Sequence, residues 1–209
     1  MEFKTTRKLF RGIYQYKIVL VVPGAGLFRH GDMNTLLDNL NKVDLSRPSV
    51  HSYKNSNIKN REDLDYAFKL QTAFSSMSDI DIRVETPWIS VYTSNKKNID
   101  KLINLDKDRV KYVSIPPANS ALSEDTIIMP KMDFDFRVTL GKTNNECSAF
   151  VSWAETNSKV KLTKSCVRDL SKTRSWGGTH FYITGDNNLL MAKMHLGGCI
   201  SKIERIVKK

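Results

Sequence analysis

Ile89-Ser90-Val91-Tyr92-Thr93-Ser94-Asn95 opens a module that closes on Val110-Lys111-Tyr112-Val113-Ser114-Ile115, and Phe181-Tyr182-Ile183-Thr184-Gly185-Asp186 opens a second one. Between the ends of the first lie Ile99, Leu102, Ile103 and Leu105; after the opening of the second come Leu189, Leu190, Met194 and Leu196, then Ile200, Ile203, Ile206 and Val207. Each reads as a strand, a Thr-small-Asx helix start, an amphipathic helix of about three turns and a returning strand. Self-similarity of this kind constrains architecture before any chemistry is known.

Reading outward from the first module, residues 14–22 alternate and then run apolar, as a buried strand does. After a turn at Pro23-Gly24-Ala25-Gly26, Asp32 or Asn34 can cap a helix carrying Leu36, Leu37, Leu40 and Val43. Residues 44–60, with Pro48, Asn55, Ser56 and Asn57, read as a loop, and Arg61 to Met77 as a second helix. Ile80–Val84 and Trp88–Tyr92 flank Glu85-Thr86-Pro87, the pattern of a hairpin. With the module's helix and last strand the order becomes β-α-β-β-α-β, the ferredoxin-like order, with one extra helix in the first crossover.

Met132 to Leu140 alternates apolar and polar residues and reads as one strand with a buried and a polar face. Asn144 or Asn145 would start a helix with Phe150, Val151 and Trp153; Val160-Lys161-Leu162 reads as a strand; Thr163 or Ser165 would cap a short helix with Val167 and Leu170. Gly197-Gly198 supplies a helix exit. The expected fold is therefore α+β, with two ferredoxin-like halves and a possible pseudo-duplication. Residues 1–116 form the first half with its extra helix, 117–131 a Pro/Ser-containing linker, and 132–209 a basic second half.

Composition sets the class of partner. The 209 residues are 40% hydrophobic and 26% charged, which suits a globular chain with a core rather than a disordered one. The longest aliphatic run, Ile18 to Val22, is far shorter than the roughly 20 residues of a membrane helix, and no secretion signal is evident, so no membrane partner is expected. Cys147, Cys166 and Cys199 lack metal-type spacing and fit reduced, buried thiols of a cytoplasmic protein. Lys and Arg total 33 against 22 acids, a net charge of +11. Residues 1–130 carry 19 basic and 15 acidic groups, residues 131–209 carry 14 and 7, so the shorter second half is the more positive. Such an excess points to a polyanion, nucleic acid first, with an acidic protein partner as the alternative.

The densest positive run is Lys159, Lys161, Lys164, Arg168, Lys172 and Arg174, opposed by Asp169 alone; Lys4, Arg7, Lys8 and Arg11 form a smaller group. In the β-α-β-β-α-β order the first and third strands are neighbours. That places Asp133, Asp135 and Arg137 beside His180, Tyr182 and Thr184 in the second half, and Trp88, Ser90 and Tyr92 on one face in the first. A sheet face carrying aromatics and cations suits single-stranded nucleic acid, because stacking tolerates any base while Lys and Arg follow the phosphates.

Other motifs are incomplete. Gly12-Ile13-Tyr14 lacks the second tripeptide of the GIY-YIG nucleases, Gly24-Ala25-Gly26 lacks the rest of a nucleotide loop, and Ala149-Phe150-Val151-Ser152-Trp153 lacks the leading residues of an RNA-recognition motif, having Glu146-Cys147-Ser148 there. Tandem halves of this order with a Gly-bearing basic loop at Trp176-Gly177-Gly178-Thr179 are similar, in fold alone, to the CRISPR RNA-processing proteins. The four histidines, His30, His51, His180 and His195, have no paired spacing.

The expectation is thus a non-catalytic nucleic-acid-binding protein without a cofactor. Lys4, Arg7, Lys8, Arg11, Lys161, Lys164, Arg168, Lys172 and Arg174 would contact phosphate, and Trp88, Trp176, His180 and Tyr182 would stack. Two alternatives stand beside it. One is a metal-dependent nuclease or phosphoryl-transfer enzyme, in which Asp133 and Asp135, two apart on a strand, hold Mg²⁺ with His180 as a base. The other is a viral structural or adaptor protein meeting an acidic partner.

Overall fold

The structure is a computed structural model that describes residues 1–30, 32–45, 58–118, 122–143 and 147–208. The loop residues Pro48, His51, Asn55, Ser56 and Asn57, linker residues Asn119 and Ser120, and Asn144, Asn145, Glu146 and Lys209 lie outside the described residues, as does the side chain of His30. The chain divides into two compact units, Met1–Leu122 and Ser123–Lys209. Each is α+β with a five-stranded sheet.

In the first unit the strands are β1 (Glu2–Thr5), β2 (Tyr16–Val21), β3 (Ile80–Glu85), β4 (Trp88–Thr93) and β5 (Val110–Ile115), in the spatial order β1-β5-β2-β4-β3. Helices α1 (Met33–Asn41) and α2 (Arg61–Ser75) fill the crossover from β2 to β3, and α3 (Lys96–Leu105) joins β4 to β5. Polar side chains start each helix of this unit. Asp32 accepts from the N–H of Asn34 and Thr35, Asn60 from that of Asp63, and Asn95 from that of Lys97. Alternation then decides the faces. Ile18, Leu20, Ile89, Val91 and Val113 pack beneath Leu64, Ala67, Leu70 and Phe74 of α2 and Ile99 and Leu102 of α3. Among the described residues, no helix-packed apolar cluster lies on the opposite face.

The second unit repeats the scheme. Its strands β6 (Thr126–Ile128), β7 (Phe136–Leu140), β8 (Val160–Leu162), β9 (His180–Ile183) and β10 (Ile200–Val207) lie in the order β6-β10-β7-β9-β8. Helix α4 (Ser148–Thr156) links β7 to β8, α5 (Lys164–Leu170) precedes β9, and α6 (Asp186–Leu196) links β9 to β10. Thr163 caps α5 through the Cys166 N–H, while α6 starts at Gly185 without a side-chain cap. The core joins Val138, Leu140, Phe181 and Ile183 to Phe150, Leu170, Leu189 and Leu196.

Two features depart from the sequence reading. Each sheet has a fifth strand, β1 or β6, added parallel to the last strand of its unit; β6 lies within the stretch read as linker. The expected strand from Met132 to Leu140 begins only at Phe136. Met132 and Phe134, which the alternation placed in the helix-side core, instead pack with Met129 on Ile127, Tyr182 and Ile206, the other face of the sheet. Hydrophobic burial outcompetes the extension of β7, because the apolar tyrosine ring and Ile206 would otherwise lie in water. Asp133 and Asp135 are therefore not alternate residues of one strand, and the strand geometry expected to align their carboxylates is absent there.

Candidate nucleic-acid interface

The open face of the first sheet is assembled from strands far apart in sequence. On β4, Trp88, Ser90 and Tyr92 alternate with the core residues Ile89 and Val91. β2 is the antiparallel neighbour of both β4 and β5, and its Lys17 pairs with Tyr92 on one side and Ser114 on the other. Tyr112 lies opposite Val19. A bulge in β5 shifts the register between Val19 and Leu20, so Val110 and Val113 both reach the core while Lys111 turns to the open face. Edge strand β1 sets Lys4 beside Ser114.

These registers place four cations over three aromatic rings. Lys4 Nζ is 4.3 Å from the Tyr112 ring centre, Lys17 Nζ is 5.6 Å from Tyr112 and 5.4 Å from Tyr92, Arg11 Cζ is 4.9 Å from Tyr92, and Lys111 Nζ is 3.5 Å from Trp88. All fall within the range in which a ring quadrupole attracts a cation. Lys4 also meets Glu2 at 3.4 Å, and Arg11 pairs with Asp81. Among the described residues, no carboxylate lies within 4.0 Å of the Lys17 or Lys111 ammonium.

The rings are unequally available. Trp88 is 38% exposed and Tyr112 is half-buried, whereas Tyr92 is only 7% exposed. Tyr92 is covered by the 6–15 segment, whose Phe10 and Tyr14 form a bridge and put their rings 5.8 Å and 6.4 Å from that of Tyr92. Arg7 and Lys8 are exposed on the same segment. Of the residues expected from sequence, the structure therefore brings Lys4, Arg11 and Trp88 to one face. Sequence reasoning missed Lys17, Lys111 and Tyr112. The signal was present, since the β-α-β-β-α-β order makes the fourth strand a neighbour of the first.

The remaining expected residues belong to the second unit. Lys161, on edge strand β8, pairs with Tyr182 of β9. Lys164 and Arg168 lie one turn apart on α5 and are exposed, as is Arg174 beyond it; Lys172 meets Asp169 at 3.6 Å. Among the described residues, no carboxylate lies within salt-bridge distance of Lys161, Lys164, Arg168 or Arg174. Trp176 stands on the loop before β9 with Lys142 Nζ 4.9 Å from its ring centre.

This unit's open face is largely covered. Tyr182 is 8% exposed and meets the ring of Phe134 at 6.0 Å; its hydroxyl is 3.1 Å from His180 Nε2. Arg137 and Lys202 converge on the buried carboxylate of Glu204 at 3.7 Å and 3.4 Å. Burial, and then the nearby Arg137 charge, hold His180 below its ordinary value.

Asp135 accepts a hydrogen bond from the Gly185 N–H at 3.0 Å and lines a cleft of about 260 Å³ with Phe136, Gly185, Asp186, Arg205 and Ile206; Asp133 is exposed. Among the described residues no group of three or more His, Cys, Asp and Glu is placed to hold a metal ion. Cys147, Cys166 and Cys199 form no disulfide among the described residues, and burial pushes the Cys166 thiol up to about 12. No helix of the described residues is long and apolar enough to cross a membrane.

Compared with protein-family models, curated proteins and solved structures, the chain has no match.

Proposed function

We propose that the protein binds single-stranded or structured nucleic acid without catalysing a reaction on it, and that the open face of the first sheet is the principal binding surface. The observation that carries this reading is the placement of Lys4, Arg11, Lys17 and Lys111 over the rings of Trp88, Tyr92 and Tyr112 on the helix-free side. On binding, the lysines move from ring to phosphate, and Trp88 and Tyr112 present their freed faces to bases. The exposed cations Lys161, Lys164, Arg168 and Arg174 add phosphate contacts from the second unit.

The same reading takes the two units as ferredoxin-like halves of a duplicated chain. It is supported by the shared order of their last four strands, β5-β2-β4-β3 and β10-β7-β9-β8, each with one parallel strand added outside.

The test is a salt titration of binding to labelled 12-nucleotide U and dT strands. Log affinity should fall linearly with log salt concentration for the wild-type chain. The slope should become shallower when Lys17 and Lys111 are changed to Gln. A wild-type affinity independent of salt would refute the reading.

A further inference from the structure

The second unit carries a tryptophan whose exposure its own fold does not explain. Trp176 is 87% exposed, the most exposed large apolar side chain among the described residues. A single exposed apolar side chain is ordinary on a protein surface; what distinguishes this one is the backbone that holds it and the cations beside it.

The backbone beneath it is tightly held. Ser175 exchanges both backbone hydrogen bonds with Thr143, at 3.0 Å and 3.1 Å, and the Gly178 N–H donates to the Leu140 carbonyl at 2.8 Å. The Gly177 N–H donates to Ser175 Oγ at 3.2 Å. Gly177 has φ +76°, and a β-carbon there would collide with the Gly141 carbonyl, so only glycine lets the two segments close together. The loop therefore holds the ring out on a built platform rather than on a loose tail, and its ordering cost is met before any ligand arrives.

The surroundings state the chemistry of the ligand. Lys142 lies over the Trp176 ring, and Arg174, two residues away, is exposed without a described carboxylate partner. A flat apolar surface with cations beside it matches an unpaired base and its flanking phosphates. A purely apolar protein pocket would leave Lys142 and Arg174 unmatched. We infer that Trp176 with Lys142 and Arg174 forms a second site that stacks one unpaired base of a nucleic acid strand. This inference rests on the nucleic-acid reading above, but on none of the residues of the first sheet.

The experiment measures binding of labelled 12-nucleotide U and dT strands, and of a 12-base-pair duplex, to full-length protein carrying Trp176→Ala, Trp176→Phe or Tyr112→Ala. Trp176→Ala should weaken binding of the strands about tenfold, Trp176→Phe by no more than about threefold, and the duplex should be little affected. Melting temperature should not change, because the side chain is in solvent. Saturating strand should quench the tryptophan emission of the wild type, and the share of that quench due to Trp176 should vanish in Trp176→Phe while the share due to Trp88 remains.

Strand binding within twofold of wild type in Trp176→Ala, alongside a loss in Tyr112→Ala, would overturn this site and leave the first one standing. An equal loss on strand and duplex would also overturn it, because paired bases offer no free face. Loss in Trp176→Ala but not in Tyr112→Ala would support this site and refute the first. Failure of the wild-type protein to bind either strand would overturn both.

Discussion

The two sheets share a strand order, yet their open faces have opposite characters. In the first unit, Lys17, Lys4 and Lys111 lie over Tyr92, Tyr112 and Trp88, and Trp88 keeps more than a third of its surface in water. In the second, Met129, Met132 and Phe134 pack on Ile127, Ile206 and Tyr182, and Arg137 and Lys202 converge on the buried Glu204. The second unit has the larger positive excess, but the first has the cations arranged around available rings. Charge count and charge placement are separate properties, and a binding face depends on placement.

The largest effect should come from breaking that placement. Changing Lys4, Lys17 and Lys111 together to Glu should weaken strand binding about thousandfold at low salt, because it removes phosphate contacts and adds repulsion. The matched change of Lys161, Lys164 and Arg168 should cost about tenfold. Equal losses in a filter-binding comparison would erase the distinction between the units.

Stability should divide the other way. Tyr182→Ala should destabilise the second unit by about 3 kcal/mol, because it opens a cavity beneath Phe134, and should leave strand affinity close to wild type. Tyr112→Ala should do the reverse, with a loss of about tenfold in affinity and a smaller change in denaturant midpoint. Chemical denaturation and binding on the same two variants test both halves of the contrast.

The smallest effect sharpens the comparison through pH. His180 titrates below its ordinary value of 6.5, mainly because of burial and then Arg137, with Glu204 opposing them. A histidine whose folded value is depressed takes up its proton more readily when unfolded. Its contribution is therefore complete above the unfolded value and is lost as pH falls through 6.5 towards the folded one. Melting curves between about pH 7 and 5 should show a modest loss that His180→Gln reduces. An unchanged pH profile in that variant would contradict the assignment.

Much of the framework was legible in the sequence, and the reasons are local. Asn95 and Asp32 cap where their spacing implied, and the alternation of Trp88–Thr93 gave the two faces of β4. β1 and β6 were not legible, because an edge strand of three or four residues has too little pattern to register. Met132 and Phe134 misled because their alternation with Asp133 and Asp135 continues that of β7, while the apolar face of the sheet that recruits them is built from Tyr182 and Ile206, distant in sequence. Lys17 and Tyr112 meet only through the β2·β5 pairing, with a bulge that no local pattern announces. A run of like charges is conspicuous in sequence, whereas cations gathered from four segments around aromatic rings become visible only after strand order is known.

The most direct test of the central claim is photo-crosslinking of a 5-bromouracil-containing single strand to the full-length protein, with adducts located by peptide mass spectrometry. Adducts are expected at Trp88 and Tyr112, lost on competition with unlabelled strand. Competable adducts confined to the second unit, with residues 88–115 unmodified, would contradict it.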